Sequence, residues 1–257
     1  MEKEIGIHAR YQTHFSAIAA GCLVLGLTAC GGGLTADDAA TFVLGDLDAA
    51  YKGEIRQEYL DLLTDTTEED ARQTYQDNIA IEAEYLLGYL ETAYSSGGYY
   101  DDGLQASMDQ IYADVVEKAQ DLTAQIYSRA QYSVGQADKL DSGDFAVEVT
   151  VSPIEVVSLI PAEVYAEKWS SVQTARGITS DEQVEAMSDE DYMAMDAEYG
   201  MAMLDYLEEL LPQLSYGEEQ SIMVQLKQEE DGNYSPVSTG WQKIDEVMID
   251  YAGAYLK

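Results

Sequence analysis

The apolar residues of this chain follow two different periods, one after the other. Thr35 can cap a first helix whose apolar positions include Val43, Leu47 and Tyr51, and Lys52-Gly53 ends it. A short second helix is predicted over 54–63, carrying Ile55, Tyr59 and Leu62. Thr66 with Glu69 has capping-box spacing ahead of a long helix through Ala71, Tyr75, Ile79, Leu86, Leu90 and Ala93, which Ser95-Ser96-Gly97-Gly98 breaks. Leu104, Met108, Ile111, Val115, Ala119, Leu122 and Ile126 then alternate steps of four and three, so that one continuous stripe faces a partner. The two long helices are expected to pair as an antiparallel hairpin.

The period then drops to two. Phe145, Val147, Val149 and Val151 alternate with Ala146, Glu148 and Thr150, which predicts a strand buried on one face. Residues 132–137 precede it across Asp141-Ser142-Gly143-Asp144 as the other arm of a hairpin, and Pro153 closes the pair. Pro161 starts a helix around Trp169, and Ser188 with Asp191 opens another through Tyr192, Met195, Tyr199, Leu207 and Leu210 to Pro212. A second hairpin is predicted from 221–228 and 234–237, turning at Asp231-Gly232-Asn233. Trp241, Ile244, Met248, Tyr251 and Tyr255 give a last helix one apolar face, which docks the C-terminus. With no internal repeat and no long linker, the pattern predicts one α+β domain over 35–257. It is helix-rich, with a long antiparallel helix pair and a small antiparallel sheet of about four strands.

Ahead of the domain lies another apolar run, Ser16 to Ala29. It is too short to span a bilayer, which takes roughly 20 apolar residues, whereas a secretory core needs only about 7–15 before a small-residue cleavage site. The run ends in Leu27-Thr28-Ala29-Cys30. That tetrapeptide resembles the lipobox of bacterial membrane lipoproteins. The resemblance implies cleavage after Ala29, a diacylglyceryl group on Cys30 as the first mature residue, and a place at the cell membrane facing outside the cytoplasm. Residues 1–29 are then the leader and 30–34 the lipidated cysteine with its tether, because Gly31, Gly32 and Gly33 favour no single conformation. The leader's cations, Lys3 and Arg10, are offset by Glu2 and Glu4. A rival site at Ala19-Ala20-Gly21-Cys22 has too little apolar sequence before it and strands a hydrophobic run in the mature protein.

Removing the leader also removes His8, His14 and Cys22, the chain's only histidines and its only cysteine besides Cys30. Ser-His-Asp and Cys-His catalysis, histidine-ligated zinc, thiolate metal sites and disulfides then have no residues to build on. The charge balance is extreme, with 49 Asp and Glu against 13 Lys and Arg and a formal net charge of -36. Nucleic acid is not an expected partner, since phosphate neutralisation takes clustered cations and Lys52, Arg56, Arg72, Lys118, Arg129, Lys139 and Lys168 are dispersed. Such a surface repels anionic lipid. Anchoring therefore falls to the two acyl chains on Cys30, because one chain alone holds only marginally.

The mature region also resembles a group of uncharacterised lipoproteins of Gram-positive bacteria. The residues that carry this are Leu47-Asp48-Ala49-Ala50-Tyr51-Lys52-Gly53, Tyr59-Leu60-Asp61 and Val147-Glu148-Val149-Thr150-Val151-Ser152-Pro153-Ile154. The resemblance implies location and architecture and carries no catalytic residue.

A search for chemistry finds no Gly-x-Ser-x-Gly elbow, no Gly-x-x-x-x-Gly-Lys, no Gly-x-Gly-x-x-Gly and no Ser-x-x-Lys. No cofactor and no metal are expected. Asp138, Asp141 and Asp144 near Gly143 do not have the 1, 3, 5 and 12 ligand spacing of a calcium loop, and a hairpin turn explains them better. Tyrosine is the compositional oddity, at 20 against 3 Phe and 2 Trp. Helical spacing places most tyrosines at the rim of the core with the hydroxyl reaching water. The candidate ligand contact is Tyr99-Tyr100-Asp101-Asp102, a loop where packing does not demand two aromatics.

The expected role is a non-enzymatic envelope lipoprotein that binds a peptide, glycan or protein. The alternative is a carboxylate-dependent hydrolase acting on cell-wall or dietary glycan, which would need two carboxylates at catalytic separation. With no thiol pair or histidine site available as a staple, residues 35–257 should unfold in one cooperative, metal-independent transition. A melting temperature that falls sharply in EDTA, or two separated transitions by calorimetry, would contradict this.

Overall fold

The computed structural model describes residues 33–64, 66–94 and 102–251. Helix α1, Ala36–Leu47, starts at the expected cap, where the Thr35 side chain accepts from the Asp38 N–H and Asp38 accepts from the Thr35 backbone. It runs directly into a π-turn, Asp48–Lys52, which Gly53 closes in the left-handed region at φ 64°. The predicted second helix shrinks to a single turn, α2, Gln57–Leu60. Helix α3, Glu68–Tyr89, is capped one residue later than the sequence suggested, by Thr67 and Asp70. Thr66 instead turns its hydroxyl back to the Thr64 carbonyl at 3.2 Å, while Thr67 and Asp70 satisfy each other's backbone N–H.

The apolar stripe from Leu104 to Ile126 belongs to two helices, α4, Asp102–Ile111, and α5, Ala113–Tyr127. Tyr112 sits between them at φ -92°, ψ 4°, fully buried, with its hydroxyl on Asp196 at 2.5 Å. Anchoring that ring bends the run without interrupting its hydrogen bonds, since Tyr112 still donates to Met108 and Val116 to Tyr112. The expected antiparallel pair is α3 with α5. Tyr94, just after α3, meets Tyr112 at a ring distance of 5.4 Å, while Glu82, earlier in α3, bonds Tyr127 at the far end of α5.

The sheet has four antiparallel strands: β1, Gln131–Lys139; β2, Phe145–Ser152; β5, Gln220–Gln228; and β6, Tyr234–Pro236, in the order β1-β2-β5-β6. The two predicted hairpins are thus joined by pairing β2 with β5, Val147 opposite Val224. A bulge between Val134 and Ala137 interrupts the pairing of β1. Pro153 does not end strand structure, because β3, Ile154–Glu155, pairs with β4, Ser215–Tyr216, in a second, two-stranded sheet. Between these lie α6, Ala162–Ala175, the short α7, Asp181–Glu185, and α8, Asp189–Leu210, which Ser188 caps through the Asp191 N–H. The last helix, α9, Ser238–Met248, stops short of the predicted Tyr255, which lies outside the described residues. Past it the chain goes extended, and Ile249 pairs with Ile154.

One hydrophobic core runs through all of this. α1 and α9 cover the inner face of the sheet, α3 and α5 join them at the π-turn, and α8 lies between α5 and α6. Val147, Val149, Val151, Val224 and Leu226 are sealed beneath the two covering helices. Each such side chain contributes roughly 1.5–3 kcal/mol of burial energy. α9 comes so close that a Cβ on Gly240 would lie 2.8 Å from the Met223 carbonyl oxygen and 2.9 Å from the Val224 Cα. Backbone cannot yield cheaply there. Gly240→Ala should lower the unfolding free energy by about 1–3 kcal/mol in denaturant titration. An unchanged midpoint would mean that α9 is not pressed on β5 as described.

Candidate functional site

The chemistry of this molecule is concentrated where the π-turn meets α3, α5 and α9. The wider winding of a π-turn brings both Asp48 and Tyr51 to the inside, and both are buried. Asp48 accepts from the Tyr132 hydroxyl at 2.7 Å and meets Lys52 at 3.5 Å. Its other oxygen faces the Arg56 guanidinium at 2.7 Å as an ion pair, not an aligned hydrogen bond. This carboxylate has cations. Lys52 also lies 4.2 Å above the Tyr132 ring, closing the group over. Burial and the hydrogen bond to Asp48 push the Tyr132 hydroxyl well above the usual phenol range.

The neighbouring carboxylates have no such help. Asp46 is buried against the Tyr59 hydroxyl at 2.8 Å, and desolvation raises its pKa to about 6. Asp245 on α9 accepts from the Tyr51 hydroxyl through one oxygen, and its other oxygen is buried with no hydrogen-bond partner. Desolvation first, then the charges of Glu82 and Asp46, raise it to about 7. Glu82 on α3 accepts from both Tyr251 and Tyr127, and burial raises it too. The rings themselves interlock. Tyr51 stands edge-on to Tyr127 at 5.0 Å, and Tyr251 packs on Tyr85 at 4.8 Å and on Tyr89 at 4.7 Å. A second, separate carboxylate of the same kind is Asp196 on α8, which accepts from Tyr112 and from the Ala93 N–H at 2.8 Å and so holds the end of the α3 segment. Burial raises its pKa as well.

Such a network can store protons. Asp46, Glu82 and Asp245 share one low-dielectric region in which each ionisation disfavours the next. Beside it a shallow crevice is lined by Asp46, Ala49, Ala50, Tyr59, Ala71, Thr74 and Tyr75. Among the described residues no group of three or more His, Cys, Asp or Glu is arranged to hold a metal ion. Asp144, one of the regularly spaced aspartates, is occupied within the hairpin turn. It accepts from the Gln228 N–H at 2.8 Å, from Ser142 at 2.9 Å and from the Gln225 side chain at 3.0 Å, bonds that lower its pKa. Asp231 likewise accepts from the Asn233 N–H at 3.0 Å.

The residues singled out in the sequence fall elsewhere. Leu27, Thr28, Ala29 and Cys30 lie outside the described residues, as do Tyr99, Tyr100 and Asp101. Asp102 opens α4. Trp241 is core, and Trp169 is half-buried against Tyr192 and Tyr199. The reading of the tyrosines as a rim of the core fits Tyr75, Tyr85, Tyr89, Tyr94, Tyr192 and Tyr206, which are half-buried, and needs correction for others. Tyr51, Tyr59, Tyr112 and Tyr127 are buried, and their hydroxyls end on carboxylates rather than water. A signal for this was present in the helical spacing. Asp46 stands with Phe42 and Val43 on the apolar face of α1, Glu82 between Ile79 and Ala83, and Asp245 between Trp241 and Met248 at steps of four and three.

No protein-family model matches the chain, and no curated protein is significantly similar to it. Among solved structures the fold is similar to a Bacillus subtilis subsp. subtilis str. 168 protein described as a "putative lipoprotein (ycdA)", with a TM-score of 0.48 and 15% identity. The match covers 83% of this chain and 56% of the other, so this chain spans little more than half of that protein's length. A likeness at this level fixes neither activity nor ligand.

The network makes stability depend on pH in a direction that can be worked out. Asp46 and Asp245 hold protons in the folded state up to about 6 and about 7, but release them near 3.8 when unfolded. Between those limits the folded state binds more protons, so their contribution is complete below the unfolded value and is lost as the pH rises to neutrality. Asp245→Asn keeps an acceptor for Tyr51 and cannot ionise. From about pH 4 to about pH 8 its stability should improve relative to the parent by about 4 kcal/mol, the equivalent of the rise from 3.8 to about 7. Parallel stability curves for the two proteins would remove Asp245 from the proton-holding groups.

Proposed function

We propose that this chain is an extracytoplasmic lipoprotein, held at the membrane by a diacylglyceryl group on Cys30, that acts by binding a peptide, glycan or protein partner. The observation that carries the reading is the short apolar run ending in Leu27-Thr28-Ala29-Cys30, with only Gly31 to Gly33 before the folded domain. The fold supports it by starting directly after that tether. Leu34 is already buried and Thr35 is the first helix cap. No helix among the described residues is long and apolar enough to cross a membrane.

Binding is preferred to hydrolysis on chemical grounds. A glycosidase sets one desolvated and one ionised carboxylate on either side of a cleft that admits the sugar. Here the desolvated carboxylates Asp46, Glu82 and Asp245 are bonded to tyrosine hydroxyls between helices. The loop Tyr99-Tyr100-Asp101-Asp102 is the proposed contact for the partner, through ring stacking and carboxylate hydrogen bonds.

Cys30→Ala should abolish incorporation of a labelled fatty acid and either leave the precursor uncleaved or release soluble protein. Label kept on the variant, or a mature N-terminus mapped away from Cys30, would overturn the assignment.

A further inference from the structure

The direction of α1 fixes which end of the domain the tether leaves. Near its C-terminal end, Asp48 bonds Tyr132 at the start of β1. Further back, Phe42 meets Trp241, whose neighbour Gly240 rests on Val224, and Val224 pairs with Val147 opposite Ala137. Going backwards, α1 therefore travels along the strand from Tyr132 towards Lys139. The lengths agree, since α1 from Ala36 to Leu47 covers roughly 17 Å and the non-helical Thr35 and Leu34 add up to about 7 Å, while the seven strand steps from Tyr132 to Lys139 cover roughly 23 Å. Leu34 comes out level with the β1–β2 turn.

The other hairpin turn lies at the same place. Asp144 accepts from the Gln228 N–H, and Tyr234 donates to the Gly143 carbonyl at 3.2 Å, so the 140–144 and 229–233 turns are side by side. The helical mass hangs from the opposite end. α5 runs into β1, α8 into β4, and Ile249, just after α9, makes an isolated bridge with Ile154 just past β2.

We infer that the paired hairpin turns form the membrane-facing end of the lipid-anchored protein, with α3, α4 and α5 projected away from the bilayer. The inference rests on lipidation of Cys30. Four residue steps separate Cys30 from Leu34, a reach of at most about 15 Å, so the end that carries Leu34 cannot leave the headgroup region. Leu140, 39% exposed at the tip of the first turn, is the apolar residue that meets it. Asp141, Glu230 and Asp231 beside it are exposed and rest against headgroups without inserting.

The test uses the full mature lipoprotein in phosphatidylcholine vesicles. Its one cysteine is blocked by lipid, so Leu140→Cys and, on the exposed side of α4, Ala106→Cys each take a single donor dye. Energy transfer to a headgroup acceptor should be at least about twofold greater from position 140, because a strand of roughly 25 Å and a helix of roughly 20 Å separate the two sites. Equal or reversed transfer on protein that floats with the vesicles overturns the orientation and leaves the anchor standing. Protein that does not float overturns the anchor, and the orientation with it.

Discussion

A buried carboxylate needs a counter-charge, a proton or a set of hydrogen-bond donors, and this protein has few cations to spend on its interior. Of its 13 Lys and Arg, Lys52 and Arg56 are placed at Asp48, while Lys118 reaches outward to Asp205 and Glu208 and Arg176 to Glu198. Asp46, Glu82, Asp245 and Asp196 are left to tyrosine. A phenol suits this role because its ring packs like any core aromatic while its hydroxyl supplies one directed donor. The chain's two compositional excesses, acid and tyrosine, are in this respect one feature.

That pairing decides how the helices meet. The π-turn inside α1's continuation is the means by which Asp48 and Tyr51 both turn inward, one towards β1 and the other towards α9. Tyr251 and Tyr127 then converge on Glu82 from the segment after α9 and from α5. Apolar packing alone leaves several rotations of a helix nearly equal in energy, whereas a hydroxyl aimed at a buried oxygen has one. In a core that no disulfide crosses, the choice of register falls to these bonds.

The sheet and most helix boundaries were legible because they follow from local rules. Alternation from Phe145 to Val151 and the turn residues at Asp141-Ser142-Gly143-Asp144 gave the first hairpin nearly to the residue. The errors came where a long-range contact overruled a local pattern. The stripe from Leu104 to Ile126 is unbroken as a sequence, yet Tyr112 bends it because Asp196, far along the chain, claims its hydroxyl. Gln57–Leu60 keeps one helical turn of the ten residues predicted, since Tyr59 is drawn into the core against Phe42 and Asp46. The candidate site was missed, although the sequence held a partial signal for it. Acids on apolar helix faces marked Asp46, Glu82 and Asp245, but periodicity cannot say which tyrosines will meet them.

The surface and the core respond to protons in the same sense, for different reasons. Outside, a formal net charge of -36 repels itself, and acid relieves it. Inside, Asp46 and Asp245 hold protons that the unfolded chain has already lost by pH 5 or so. Salt separates the two, because the exposed charges are screened over about 10 Å of solution at 0.1 M while the enclosed pair is screened far less. The dependence that persists in high salt therefore belongs to the tyrosine-bound carboxylates. The bonds from Tyr51, Tyr127 and Tyr251 favour the ionised forms, so the cost of ionising Asp245 on α9 lies in desolvation and in its repulsion by Glu82 and Asp46.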